Sequence, residues 1–124
     1  MAAAALRFYI DLIEAAQAAP WRANPVGPFF KSSVDSMEKK YPDLLTRLDR
    51  FIDVKTPNPL AIKYGKTDGP FSDYLRGFWH CHLAPDAILI YRLRNRIIEM
   101  AIIVQHDDLS RKRIKTLDKQ LALV

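Results

Sequence analysis

The spacing of apolar side chains predicts helices in the first half of the chain. Three segments carry apolar residues at intervals of three and four: residues 3–18, Ser32 or Ser33 to about Lys40, and Pro42 to about Ile52. A serine is the expected N-cap of the second helix, and a proline suits the first turn of the third. The proline-rich stretch at 19–30 predicts a connector, or at most a short edge strand around Phe29–Phe30.

The second half of the chain is richer in the β-branched and aromatic residues that favour strands. Three of its segments predict an antiparallel meander: residues 77–83, 87–93 and 97–104. A short strand at 60–65 and a turn at 68–70 are expected before it. The tail, LSRKRIKTLDKQLALV, predicts a basic helix with Ile114, Leu117 and Leu121 on one face.

These elements predict a single α+β domain over residues 1–124. Its N-terminal helices would pack on a small antiparallel sheet, and a basic C-terminal helix would occupy about residues 109–124. Residues 1 to about 25 would form an N-terminal helical extension of the domain. A chain of 124 residues is long enough to bury a core of ordinary size.

Composition indicates a globular cytoplasmic protein with a basic surface. Hydrophobic residues make up 49% of the chain and charged residues 27%, which is the balance of a globular domain. No apolar run approaches the ~20 residues that cross a bilayer, and Arg7, Asp11 and Glu14 interrupt what would be the core of a signal peptide. The single Cys81 excludes an internal disulfide. A net charge of +5 makes nucleic acid or the ribosome a candidate partner.

The three histidines, His80, His82 and His106, all lie in or just after the predicted meander. Because consecutive strands of a meander run in opposite directions, His82, Asp86 and His106 should meet at one end of the sheet. Strand spacing of about 4.8 Å puts His82 and His106 roughly 10 Å apart, so that their imidazoles could flank one phosphodiester. His80 and His82 share a face of their strand, with Cys81 on the other face.

This cluster of titratable side chains fits three different roles. Acid–base cleavage of RNA needs a base, an acid and a cation for the phosphate, and histidine and arginine suit those tasks near neutral pH. A His-x-His pair on a strand with a third histidine also fits a zinc site. In the structural alternative, His80 and His82 are partly buried with satisfied hydrogen bonds and His106 is a loop residue. The spacing alone leaves all three roles open.

A longer pattern around these histidines resembles the YafQ branch of the RelE/ParE toxin superfamily. The family pattern runs from a basic residue and glycine, through an aromatic and a histidine followed by apolar-x-Pro-Asp, to an aliphatic strand ending in tyrosine and a last histidine. The matching positions are Arg76-Gly77, Phe78, His82-Leu83-Ala84-Pro85-Asp86, Ile88–Tyr91 and His106. The resemblance covers about residues 29–109 and implies the RelE/ParE-like fold.

The resemblance implies a toxin of a type II toxin–antitoxin system, which cleaves mRNA on the ribosome without a metal or other cofactor. Its expected partners are a cognate antitoxin protein, the ribosome and mRNA, with no membrane and no small-molecule cofactor. We expect His82 and His106 to transfer protons, Asp86 to orient or assist them, and His80 to be auxiliary. Contacts to RNA phosphates are expected from basic residues of the meander and the tail: Arg76, Arg92, Arg94, Arg111, Lys112 and Arg113.

The chain departs from the family pattern at five positions. Gly69 stands where the family usually carries another histidine, and Ala87 stands where a tryptophan follows Pro-Asp. Trp79 replaces an arginine, His80 replaces the acidic residue that follows it, and Ser110 replaces an aromatic residue after the last histidine. These departures favour a second hypothesis, a non-catalytic protein of the same fold that binds a partner protein or RNA. The third hypothesis is a metal-dependent hydrolase that uses the three histidines.

Overall fold

The computed structural model describes residues 4–10 and 20–124 of the chain. Residues 4–10 are helical, and the remainder of the helix predicted over 3–18 lies outside the described residues. The later part of the chain forms five strands: β1 (Arg22–Pro25), β2 (Gly69–Pro70), β3 (Trp79–Ala84), β4 (Ala87–Arg94) and β5 (Ile97–Val104). It also forms three helices and a 3₁₀ turn: α1 (Phe30–Glu38), α2 (Leu44–Lys55), the turn (His106–Leu109) and α3 (Ile114–Leu121).

The strands form one sheet in the order β1-β5-β4-β3-β2. The meander predicted from the sequence is present, because β3 pairs antiparallel with β4 and β4 pairs antiparallel with β5. Strand β2 adds antiparallel to β3, whereas β1 adds parallel to β5. The α+β class is therefore confirmed, and the sheet is mixed where the sequence predicted an antiparallel one.

The two faces of the sheet are covered by different helices, as the alternation of side chains along the strands requires. Helices α1 and α2 pack on the face that carries Cys81, Leu89 and Tyr91. The predicted C-terminal helix is confirmed as α3, and its Leu117 and Leu121 are buried on the other face. No helix in the described ranges is both long enough and apolar enough to cross a membrane.

The local prediction around Phe29–Phe30 is wrong in two respects. The edge strand lies earlier, at Arg22–Pro25, and Phe30 is already the first residue of α1. Neither serine caps the helix, because the Ser32 and Ser33 hydroxyls donate to the carbonyls of Phe29 and Phe30. The buried phenyl ring of Phe30 packs in the core and so sets the start of the helix ahead of both serines.

The predictions for 60–65 and 68–70 are also wrong, because a buried cation rearranges this segment. Residues 60–65 form turns and bends, while Gly69–Pro70 pairs with β3 as the short strand β2. The ammonium of Lys55 donates to the Pro59 carbonyl at 2.8 Å and to the Ile62 carbonyl at 2.7 Å. The carbonyls that bind this ammonium point towards the end of α2. They therefore cannot accept the backbone hydrogen bonds that would pair this segment as a strand.

The same ammonium forms a buried ion pair that anchors the segment before β2 to the sheet. Lys55 Nζ lies 2.6 Å from Asp68 Oδ2, and only 1% of each side chain is exposed. Asp68 also accepts hydrogen bonds from the hydroxyl of Tyr91 and from the backbone N–H of Tyr64. Burial raises the pKa of Tyr91, and the contact with Asp68 raises it further. The network places Thr67, the residue before Asp68, at the edge of β3.

Candidate active site

His82 and His106 are in direct contact at one end of the meander. His82 lies on β3 opposite Ile88 of β4, and His106 begins the 3₁₀ turn that follows β5. Their Nε2 atoms are 3.1 Å apart, and their ring centroids are 4.8 Å apart. The convergence that the meander implied is therefore present. The imidazoles are much closer than the roughly 10 Å between their strands, because both side chains reach across the end of β4.

The hydrogen bonds around the two rings define where their protons lie. His106 Nε2 is 2.9 Å from the Pro85 carbonyl oxygen, which can only accept, so this nitrogen carries a hydrogen. The same N–H faces His82 Nε2, which then accepts. The other ring nitrogen of His82, Nδ1, lies 2.6 Å from the Thr67 hydroxyl. In this assignment His82 has a lone pair on Nε2, and His106 has a proton beside it.

The electrostatics of the pair keep His82 neutral. Burial lowers the pKa of His82 from its ordinary value of 6.5, and His106 lowers it further, while Asp86 opposes both effects. Two imidazolium rings in contact would repel each other, so a charge on His106 disfavours a charge on His82. A neutral imidazole beside an N–H donor is the arrangement that a general base and a general acid require.

Asp86 holds the backbone of His106 and does not contact either imidazole. Its Oδ1 accepts the His106 backbone N–H at 2.8 Å, and its Oδ2 lies 2.8 Å from Lys40 Nζ. The Asp86 backbone N–H in turn donates to the Tyr41 hydroxyl at 3.0 Å. The hydrogen bond from Lys40 lowers the pKa of Asp86, and the His106 N–H lowers it further. Of the two roles expected for Asp86, orienting the pair is the one that these contacts support.

Lys40, Tyr41 and Thr67 were not singled out in the sequence. Lys40 and Tyr41 lie just beyond the end of α1, and Lys40 is one of nineteen basic residues with nothing in its local pattern to mark it. Thr67 lies in a segment whose path depends on the buried Lys55 ammonium. A contact between α1 and the turn after β3 depends on how the helix packs on the sheet, and local periodicity carries no information about that packing.

His80 lies next to the pair on the same face of β3, but it stacks on another residue. Its ring centroid is 4.5 Å from that of Phe71. Burial lowers the pKa of His80, Asp68 raises it, and His82 lowers it slightly. Within the described residues, no group of three or more histidine, cysteine, aspartate or glutamate side chains is arranged to hold a metal ion. The three histidines therefore do not form the zinc ligand set considered from their spacing.

The arginines of the meander bind protein groups away from the pair. Arg92 and Arg94 lie at the far end of β4 from His82, and both contact Glu99 Oε1, at 2.9 Å and 2.7 Å. Arg92 is also largely buried. The Arg76 side chain donates to the Ser72 carbonyl at 3.1 Å. None of these three arginine side chains forms a hydrogen bond with His82 or His106 in the structure.

The basic residues of the tail surround the start of α3. Arg111 and Lys112 are exposed, whereas Arg113 lies 3.2 Å from Asp107 and 3.5 Å from Asp108. Asp108 also accepts the backbone N–H of Gln105, which closes the 3₁₀ turn that carries His106. The tail is thus connected to the site through this turn, and Arg113 has part of its charge neutralised.

This sheet with its helices is the fold of the RelE/ParE-type toxins. YafQ from E. coli strain BL21(DE3) has this fold, with a TM-score of 0.58 and 22% identity over 72% of this chain and 97% of YafQ. The E. coli DinJ-YafQ toxin-antitoxin complex matches 73% of this chain and 97% of its own at 22% identity, with a TM-score of 0.58.

A more distant structure has the same fold. The YoeB/ParE toxin from Agrobacterium tumefaciens has a TM-score of 0.54 and 12% identity, over 68% of this chain and 98% of that one. The sequence itself matches no protein-family profile and no curated protein. At these identities the comparisons establish the fold, and the activity has to be argued from the site.

Proposed function

We propose that this chain is the toxin of a type II toxin–antitoxin system and cleaves mRNA on the ribosome with the His82–His106 pair. The observation that carries the proposal is the pair itself: a neutral imidazole and an N–H donor 3.1 Å apart on a toxin fold. YafQ is found in complex with the antitoxin DinJ. The proposed partners of this chain are accordingly a cognate antitoxin, the ribosome and mRNA, in the cytoplasm and without a cofactor.

The proposed reaction is a transfer of the phosphodiester to the neighbouring 2′-oxygen. His82 Nε2 removes the 2′-hydroxyl proton as the 2′-oxygen bonds to phosphorus. His106 enters the reaction as an imidazolium; the bond from phosphorus to the 5′-oxygen breaks, and His106 gives its Nε2 proton to that leaving oxygen and becomes neutral. The products are a 2′,3′-cyclic phosphate and a 5′-hydroxyl end. His82 is then the imidazolium, and proton exchange with solvent restores the starting state.

The charge that builds up on the phosphate needs a nearby cation, and Lys40 is the residue best placed for it. Its ammonium is bound to the same Asp86 that holds the His106 backbone. Arg92, which was expected in this role, is largely buried against Glu99. In the proposed site Lys40 moves from Asp86 towards the phosphate, and Arg76, which is exposed, is a second candidate.

The RNA must separate the two imidazoles before it can react. No phosphate group fits between nitrogens that are 3.1 Å apart. His106 is the ring that moves in this proposal, because it is exposed, whereas His82 is half-buried on β3 and bound to Thr67. The closed pair is the resting state, and binding to the ribosome and mRNA opens it.

A direct test is cleavage of a defined mRNA by the purified chain on bacterial ribosomes, with the 5′ ends mapped by primer extension. Cleavage should require ribosomes, and His82→Ala or His106→Ala should slow it by about 10²–10⁴-fold, the usual contribution of a proton-transfer residue. Both variants should keep the circular dichroism spectrum of the parent chain. Binding to an antitoxin without any cleavage would instead favour the non-catalytic hypothesis.

A further inference from the structure

A groove lies beside the histidine pair, on the same face of the sheet. One wall is formed by residues 71–74, and the other by the tail from Leu109 to Lys115; the cavity between them measures about 550 Å³. The first wall begins at Phe71, which stacks on His80, the neighbour of His82. The second wall begins at Leu109, the last residue of the 3₁₀ turn that starts with His106. Each wall of the groove is therefore connected to the candidate active site through an adjoining residue.

The two walls are fixed to each other by a strained residue. Leu75 is buried and has a φ of 61°, a conformation that a bulky residue keeps only when its surroundings enforce it. Its backbone N–H donates to Asp118 Oδ1 of α3 at 3.0 Å, and its side chain packs with Leu117 and Leu121. The segment at 71–74 is thus held at a set distance from the tail.

The side chains that line the groove combine positive charge with an exposed aromatic ring. Arg111 and Lys115 line it, and neither forms an ion pair with a carboxylate in residues 4–10 or 20–124. Arg113, just outside it, is by contrast bound to Asp107. Tyr74 lines the same groove with 40% of its surface exposed. A volume of this size accommodates one nucleotide.

We propose that this groove binds the nucleotide next to the scissile phosphate of single-stranded RNA, with its base against Tyr74 and its phosphate between Arg111 and Lys115. The proposal deepens the proposed function and rests on it, because the groove leads away from the pair that would cleave the RNA. Aromatic rings stack on any base, and free cations bind the phosphodiester backbone. An acidic peptide would use the two cations but would leave the exposed ring without a stacking partner.

Asp73 also lines the groove, and replacing it tests whether the bound group is negatively charged. A carboxylate on the lining of the groove would repel a phosphate bound between the two cations. Replacing it by asparagine should therefore strengthen the binding of RNA. A weaker affinity in Asp73→Asn would mean that the occupant is not an anion and would overturn the proposal.

The test measures the binding of a 2′-O-methyl pentanucleotide, which cannot be cleaved, by fluorescence anisotropy. Arg111→Ala/Lys115→Ala should weaken binding about tenfold and reduce the slope of log K against log salt by about 1.4, at ~0.7 for each single-strand contact. Lys31→Ala/Lys119→Ala removes the same charge from exposed positions outside the groove and should change affinity less than twofold. Equal losses in the two double variants would overturn the proposal.

Variants of Tyr74 distinguish the binding of a nucleotide from the binding of an acidic peptide. Tyr74→Ala should weaken the pentanucleotide about tenfold, because stacking on one aromatic residue contributes at that level, while Tyr74→Phe should keep the parent affinity. Polyglutamate of the same charge should displace the pentanucleotide poorly. Equal displacement by polyglutamate, or no effect of Tyr74→Ala, would identify a general site for acidic chains and contradict the RNA subsite. These measurements use uncleavable RNA, so their failure is distinct from a failure of catalysis by His82 and His106.

Discussion

The Nε2 atoms of His82 and His106 lie 3.1 Å apart, although 24 positions separate the two residues in the sequence. This contact couples the two rings, because a charge on His106 lowers the proton affinity of His82. The two rings are held by groups on both sides: Thr67 binds one ring, and the Pro85 carbonyl binds the other.

The pKa of His82 should be measurably below 6.5 in the folded chain, because burial and His106 both favour the neutral ring. An NMR titration of its ring protons should show a midpoint under that value, and His106→Ala should move the midpoint upward. The acid limb of the cleavage rate should likewise lie below pH 6.5, since only neutral His82 accepts the 2′-hydroxyl proton. A His82 midpoint that is insensitive to His106→Ala would contradict the coupled pair.

The lowered pKa of His82 also determines the direction in which the stability of the fold changes with pH. A histidine whose folded pKa is lowered binds fewer protons in the folded state than in the unfolded state between its folded pKa and 6.5. The contribution of His82 to the free energy of unfolding should therefore fall as the pH is lowered through that window. Urea denaturation at a series of pH values should show this fall, and it should be smaller in His82→Ala.

Asp86 should act on the rate through the position of His106. Asp86→Ala removes the acceptor of the His106 N–H, and a displacement of a catalytic group by 1 Å can cost on the order of 10²-fold in rate. Asp86→Asn keeps an oxygen at that position and should retain more of the activity. The acid limb of the pH profile should move to lower pH in both variants, because the charge of Asp86 raises the pKa of His82. If Asp86→Asn were as slow as Asp86→Ala, the charge of Asp86 would matter beyond its role as an acceptor.

Gly69 marks the place where the family pattern has a further histidine, and the structure has room for one. A Cβ built on Gly69 meets no atom within 4 Å. Gly69 pairs with His80 on β3, so an imidazole there would enter the surroundings of the histidine cluster. Gly69→His should raise the cleavage rate about tenfold if the missing group limits it. Gly69→Ala, which fills the space without an imidazole, is the control; an equal rise in that variant would rule out the chemical explanation.

The buried ion pair of Lys55 and Asp68 should be important for stability. Lys55→Met leaves the Asp68 carboxylate buried without its cation, which typically costs about 3–5 kcal/mol of the free energy of unfolding. Lys63→Met, at an exposed position nearby, should stay within about 0.5 kcal/mol of the parent chain. Urea denaturation measures both, and similar values for the two variants would show that the pair is dispensable.

The meander and the meeting of the histidines could be predicted from the sequence because their signals are local. Three strands joined by short turns leave little choice of topology, and His82 and His106 then emerge at the same end. The distance between the rings could not be predicted. It depends on the side-chain rotamers that Thr67 and the Pro85 carbonyl select.

Two other features escaped prediction because they depend on contacts between distant parts of the chain. The segment Arg22-Ala23-Asn24-Pro25 has a weak strand signal and becomes a strand by pairing with β5. Lys55, at the end of α2, would be expected in solvent from its position on the helix. It is buried because carbonyls of the following turn and the carboxylate of Asp68 surround its ammonium.

The parallel pairing of β1 has a consequence for partial unfolding. Strand β1 comes from the N-terminal part of the described chain, and it pairs with the first half of β5, from Ile97 to Met100. The histidine pair depends on the other end of β5, on β3 and on the turn between β3 and β4. Amide hydrogens of β1 should therefore exchange with solvent through a local opening that leaves His82 and His106 in contact, so that the edge strand and the candidate active site belong to separate cooperative units.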